Sequence, residues 1–106
     1  MNYLISQKQL YKLMTKYLNV FNDSAHKSRF EHYLYIAEPS GEDWNLTLSY
    51  DFIDGELAIQ NDWLENYVSW FPINIDDGAD FVKDWFEETY NLPVNSVVHH
   101  NVIWKS

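Results

Sequence analysis

Histidines and carboxylates crowd the segment DWFEETYNLPVNSVVHH, residues 84–100. His99 and His100 are adjacent on a predicted strand, so their side chains point to opposite faces and cannot bind one ion together. His100 falls on the more apolar face, where a histidine is most often a hydrogen-bonded core residue. A zinc site of His32, His100 and a carboxylate would require their two strands to be neighbours. No spacing motif supports such a site, and we predict no metal and no cofactor.

A row of carboxylates lies on the outer face of a predicted helix. Asp80, Asp84, Glu87 and Glu88 fall within about 100° of one another on the helical wheel. Like charges four residues apart, as in Asp80 and Asp84, cost about 0.2–0.5 kcal/mol per pair. A solvated face kept acidic for solubility would explain the row, and so would a docking surface. We take these four residues as a candidate protein-interaction site.

No nucleophile motif, glycine-rich phosphate loop or HExxH pair occurs, and the chain has no cysteine. We therefore predict that the protein is not an enzyme. An alternative is an enzyme or small-ligand binder with an aromatic pocket, lined by Trp63, Trp70, His32 or His100.

The charge is unevenly distributed along a chain whose net charge is −9. Residues 1–29 carry five of the seven Lys and Arg residues, whereas residues 30–106 carry all the acids except Asp23. So acidic a body repels phosphates, which argues against direct nucleic-acid binding and favours partners with basic surfaces. A DNA mimic, whose carboxylates imitate phosphates, is a further alternative. The lysines of the predicted N-terminal helix lie on its solvent face and could contact an acidic partner or another copy: Lys8, Lys12 and Lys16.

Five tryptophans could pack in the core or mark an interface. Trp44, Trp85 and Trp104 lie on predicted core faces. Trp63 and Trp70 flank an ambiguous segment, and they either cap the core or form an exposed aromatic patch. Because tryptophan is enriched at binding hot spots, such a patch would suit homodimer formation.

The first half of the chain predicts a helix followed by a meander. Residues 6–21 form an amphipathic helix with Ser6 as its N-cap, and residues 22–29 are a polar connection. Strands are predicted at residues 30–37 and 44–53, and the third strand of the meander follows the next turn. Asp54-Gly55 then indicates a two-residue hairpin loop, which places Phe52 opposite Leu57 and Tyr50 opposite Ile59.

The second half predicts helices and a last strand. Residues 62–71 fit either a helix or a strand, and the helix, capped by Asn61 or Asp62, is favoured. A second helix is predicted at about 77–90, with Asp76 and Asp77 as its N-cap and first-turn acids and Asn91 in a left-handed conformation after its end. Residues 94–104 read as a strand.

This order predicts a single α+β domain spanning residues 1–106. We expect a mostly antiparallel sheet of about four strands, made of a three-strand meander and the C-terminal strand. An N-terminal helix and one or two further helices would pack on one face. No signal peptide or transmembrane segment is recognisable, so a cytoplasmic protein is expected.

Two segments resemble small uncharacterised accessory proteins of large tailed bacteriophages: YLISQKQLYKLM near the N-terminus and FVKDWFEETYNLPVNSV near the end. The resemblance implies a small accessory protein made in a bacterial cell or in a virus-infected one. It brings no catalytic residues with it. Our leading hypothesis is a small, acidic, non-catalytic interaction module that uses the carboxylate row.

Overall fold

The computed structural model describes residues 7–100, which form three helices and five strands. In chain order these are α1 (Gln7–Ser24), β1 (His26–Phe30), β2 (Tyr33–Ser40), β3 (Asp43–Asp51), β4 (Glu56–Gln60), α2 (Asn61–Ser69), α3 (Ile75–Tyr90) and β5 (Ser96–His100). The α+β class, the N-terminal helix and two further helices are as predicted. The predicted number of strands was too small.

The sheet has the order β1-β2-β3-β4-β5 and is mixed. Strands β1 to β4 form an antiparallel meander, and β5 pairs with β4 in parallel. A parallel neighbour requires a crossover connection, which α2 and α3 provide here. The described sheet is therefore a four-strand meander with a parallel fifth strand, and the expectation of about four mostly antiparallel strands is only roughly right.

Strand β1 lies in the segment that the sequence presents as a polar connection and the start of a strand. All five of its residues are exposed, so no alternating apolar pattern reveals this edge strand. The strand predicted over 30–37 is interrupted by a tight turn at Glu31 and His32, so that Phe30 ends β1 and Tyr33 begins β2. Glu31 has a positive φ of 57°, which such a turn requires.

The hairpin between β3 and β4 has a wider loop than predicted. Tyr50 pairs with Leu57, whereas the two-residue loop had placed Phe52 there. The Asp51 carboxylate accepts a hydrogen bond from the Ile53 N–H at 2.8 Å and so organises the loop. The register therefore differs by two residues. Because side chains alternate between the two faces with period two, a shift of two residues leaves Tyr50 and Leu57 on the face predicted for them.

A bulge in β3 reverses the face predicted for Trp44. The pairing with β2 shifts after Ile36, which leaves Thr47 as an extra residue in β3. Trp44 was expected on the core face with Leu48. It is instead 53% exposed, with its ring 5.2 Å from that of His26.

All three helices contribute to one core against one face of the sheet, as predicted. The buried hydrophobic side chains of the helices are Leu10, Met14, Leu18, Phe21, Trp63, Leu64, Tyr67, Ala79, Val82, Trp85 and Phe86. They meet a set from the sheet: Ile36, Leu48, Tyr50, Leu57 and Ile59. The opposite sheet face carries no helix among the described residues.

The ambiguous segment is a helix, α2, which confirms the favoured interpretation. Its N-cap is Gln60, with no capping side chain, so the caps predicted at Asn61 or Asp62 were wrong. Helix α3 begins at Ile75, earlier than predicted, so its N-cap is Asn74 and not Asp76. The Asn74 side chain accepts a hydrogen bond from the Asp77 N–H at 2.8 Å. Asn91 has the predicted left-handed conformation.

Ser6, Trp104 and the end of the predicted last strand lie outside the described residues. Across residues 7–100, no helix has the length and apolar character that spanning a membrane requires.

Candidate functional site

A groove of about 700 Å³ runs between α1 and α3. Its lining includes apolar and aromatic side chains from both helices: Leu10, Tyr11, Met14, Phe81 and Trp85. The rings of Tyr11 and Phe81 are 5.3 Å apart and join the two helices. Trp85 is fixed by its indole N–H, which donates to the Asn19 carboxamide at 2.9 Å. The groove thus has a packed apolar floor in which Leu10, Met14 and Trp85 are buried, and Tyr11 and Phe81 are its accessible part.

One wall of the groove is a row of carboxylates on α3. Asp77, Asp80, Asp84 and Glu88 all line it. At the helical rise of 1.5 Å per residue the row extends for about 16 Å. The structure thus brings three of the four candidate residues together and adds Asp77. The sequence assigned Asp77 only to the first turn, because its position next to the groove depends on how α1 packs.

Glu87, the fourth candidate residue, does not line the groove. Its carboxylate accepts one hydrogen bond from the Val94 N–H at 3.0 Å and another from the Lys83 ammonium at 3.1 Å. The Val94 N–H, and secondly Lys83, lower the pKa of Glu87 below its ordinary value. Glu87 thus ties the end of α3 to the segment that leads into β5, which is a structural role.

The carboxylate row has little local compensation. Lys83 lies 3.6 Å from Asp84, whose side chain is 76% exposed. Asp80 and Glu88 have no ion pair with any residue in 7–100. The α1 lysines do not line the groove, to which α1 contributes Gln7 and Thr15 as polar residues. The groove therefore presents a negative wall above an apolar floor.

Trp63 and Trp70 do not form one exposed patch. Trp63 is buried, 7% exposed, and its ring is stacked on Tyr67 at 5.5 Å. Trp70, just beyond α2, is 69% exposed. Of the two alternatives, Trp63 packs into the core and Trp70 alone is exposed, because α2 turns Trp63 inward and ends before Trp70.

The histidines are separated by the sheet order. His32 lies in the β1–β2 turn, 3.8 Å from Asp51, whereas β5 is at the opposite edge of the sheet. His99, and not His100, faces the helices, where it contacts Asn61 at 3.0 Å and Asp76 at 3.4 Å. His100 is exposed. The conceivable zinc site of His32 and His100 is thus excluded, and the described residues contain no cluster of three metal-ligating side chains.

The fold defines the class of protein as an α+β domain with helices on one face of a mixed sheet. No protein-family model, curated protein or solved structure matches the chain. A negative wall above an apolar floor can bind a ligand that has both positive charge and an apolar side.

Proposed function

We propose that the protein is a non-catalytic interaction module that binds a basic protein surface in the α1–α3 groove. The observation that carries this proposal is the row of Asp77, Asp80, Asp84 and Glu88 beside an apolar floor, with Lys83 as its only ion-pairing partner within residues 7–100. A helix face used for solubility alone does not need an apolar groove beside it.

The expected partner is an amphipathic segment with lysine or arginine on one side and apolar residues on the other. Exposed ion pairs contribute only about 0–1 kcal/mol each, so the carboxylates alone give weak binding. Apolar contact with Tyr11, Phe81 and neighbouring floor residues would supply most of the affinity. The charges would orient the partner and increase its rate of association.

The geometry favours docking over DNA mimicry. A mimic needs carboxylates in two rows, one for each phosphate backbone, and α3 offers one row beside a groove. The aromatic-pocket alternative has less support, because within residues 7–100 the sheet order separates His32 from His100 and Trp63 is buried whereas Trp70 is exposed. We further propose an accessory role in the cytoplasm of a bacterial or virus-infected cell, on the sequence resemblance alone.

The proposal can be tested with a labelled peptide of leucine and lysine in helical period, whose binding is followed by fluorescence anisotropy. Asp84→Asn with Glu88→Gln removes two charges from the groove. The matched control is Glu42→Gln with Asp43→Asn, which removes the same two side-chain types from the exposed β2–β3 turn. A peptide of leucine and glutamate reveals non-specific apolar binding.

We expect the groove variant to weaken binding of the basic peptide by about fivefold, the effect of losing ~1 kcal/mol. The control variant should change it by less than about twofold. Equal losses in both variants would mean that the peptide responds only to net charge, which would refute a site in the groove.

A further inference from the structure

A second surface of α1 has apolar side chains with no covering element in the described structure. We define the Trp70 patch as Leu13, Lys16, Tyr17, Val20, Trp70 and Phe71, which line one shallow depression. Leu13 is 50%, Val20 61% and Trp70 69% exposed. Tyr17 and Phe71 pack against the core beneath them. The patch is therefore an apolar surface with a protruding indole.

The one charged side chain that lines the patch is Lys16, whose charge is opposite to that of the groove wall. Lys16 belongs to the patch, and Lys12, one turn away, is also exposed. Neither lysine has an ion pair with another residue in 7–100. Trp70 with neighbouring lysines matches the ligand expected for the groove, an apolar group accompanied by positive charge.

The patch and the groove lie on opposite flanks of α1. Tyr11 lines the groove and Leu13 lines the patch, and two residues apart on a helix means about 200° of rotation. One rigid copy therefore cannot place its own patch in its own groove. Two copies can meet in this way.

We infer that the Trp70 patch of one copy docks in the α1–α3 groove of a second copy. The inference rests on the proposed function, since it makes the groove a binding site and names this chain as an occupant. Lys12 and Lys16 would face the carboxylates of Asp80, Asp84 and Glu88. A symmetric pairing of two patches would instead bring two lysine-bearing surfaces together. The contact joins unlike surfaces, so it leads to rings or chains.

Sedimentation velocity of the full chain at increasing concentration is the first test. Association should appear below about 1 mM protein. Trp70→Ala should weaken it at least about tenfold, as expected at a hot spot. Trp44→Ala is the matched control, because Trp44 is also exposed but lies outside the patch. No association up to about 1 mM, or equal loss in both variants, would overturn the inference.

Mixing two variants distinguishes head-to-tail contact from symmetric pairing. The patch variant carries Lys16→Glu and Trp70→Ala, and the groove variant carries Asp84→Lys and Glu88→Lys. Each should be monomeric alone, and the mixture should form a heterodimer that grows no further, because one intact patch and one intact groove remain. Self-association of the groove variant alone would show symmetric pairing and overturn the inference.

Failure of this inference is separable from failure of the proposed function. If the basic peptide binds in the groove but the chain does not self-associate, the groove is a site for another protein and the inference alone is wrong. If the peptide does not respond to the groove variant, the proposed function fails as well.

Discussion

The Tyr67 phenol donates a hydrogen bond to the main-chain carbonyl of Met14 at 3.2 Å. Both residues are fully buried, and they lie on different helices. This bond joins α2 to α1 at the centre of the core. It therefore helps to hold α1, one side of the groove, in place. Tyr67 also stacks on Trp63, so one side chain provides both polar and aromatic contacts between the helices.

Tyr67→Phe removes the hydroxyl and keeps the ring. The lost hydrogen bond should reduce the free energy of unfolding by about 1 kcal/mol. Tyr67→Ala should cost about 3–5 kcal/mol, because it leaves a cavity under α1. Urea denaturation measures both values. A neutral Tyr67→Phe would show that the bond contributes nothing to the α1–α2 contact.

Buried tyrosines should make the protein sensitive to alkali. Burial raises the pKa of Tyr67 well above its ordinary value, and burial raises the pKa of Tyr90 to about 12 despite its hydrogen bond to Asn22. A pKa raised in the folded state stabilises the fold below the unfolded value of about 10, and this stabilisation is lost as pH rises further. Stability should therefore fall above about pH 10. Tyr90→Phe should make the fall shallower in urea titrations, and an unchanged slope would contradict this assignment.

Acid should destabilise the fold through protonation of Glu87. Its folded-state pKa is lowered, so its stabilising effect is present above the ordinary carboxyl value and is lost as pH falls through the lowered one. Glu87→Gln should destabilise the protein at neutral pH and reduce the loss of stability below about pH 4. Glu88→Gln is the control, since Glu88 is exposed and lacks these partners. Equal acid profiles for the two variants would refute the role of Glu87.

Gly78 lets α2 and α3 approach closely. A Cβ atom at this position would lie 2.2 Å from Cγ1 of Val68. Gly78→Ala gains about 1 kcal/mol of helix propensity, but the clash should make the net change destabilising by about 1–2 kcal/mol. Val68→Ala should relieve the clash, so a double-mutant cycle should show favourable coupling. If the effects of the two substitutions are additive, the clash with Val68 is not what destabilises Gly78→Ala.

Much of this fold could be predicted because its local signals agree with its packing. The ends of α3 illustrate this, since Asn91 and Pro93 stop the helix by local chemistry. The predictions failed where long-range contacts decide the outcome. The exposed strand β1 has no alternating apolar pattern. The bulge at Thr47 moves Trp44 to the other face of the sheet, and no local feature of the sequence indicates that bulge.

In the candidate site, too, local sequence signals could be predicted and long-range contacts could not. Helical periodicity alone placed Asp80, Asp84 and Glu88 on one face. It could not distinguish Glu87, whose partner Val94 approaches only through the loop after α3. Nor could it show that α1 lies beside the row and makes a groove, because that depends on tertiary packing.

The most direct test of the central claim is an NMR titration of the ¹⁵N-labelled full chain with the basic leucine–lysine peptide. If the peptide binds in the groove, amide shifts should concentrate on both of its sides, at Tyr11 and Thr15 on α1 and at Phe81 and Asp84 on α3. Small shifts spread over all acidic surfaces, or shifts centred on the open sheet face around Tyr35, would contradict the central claim.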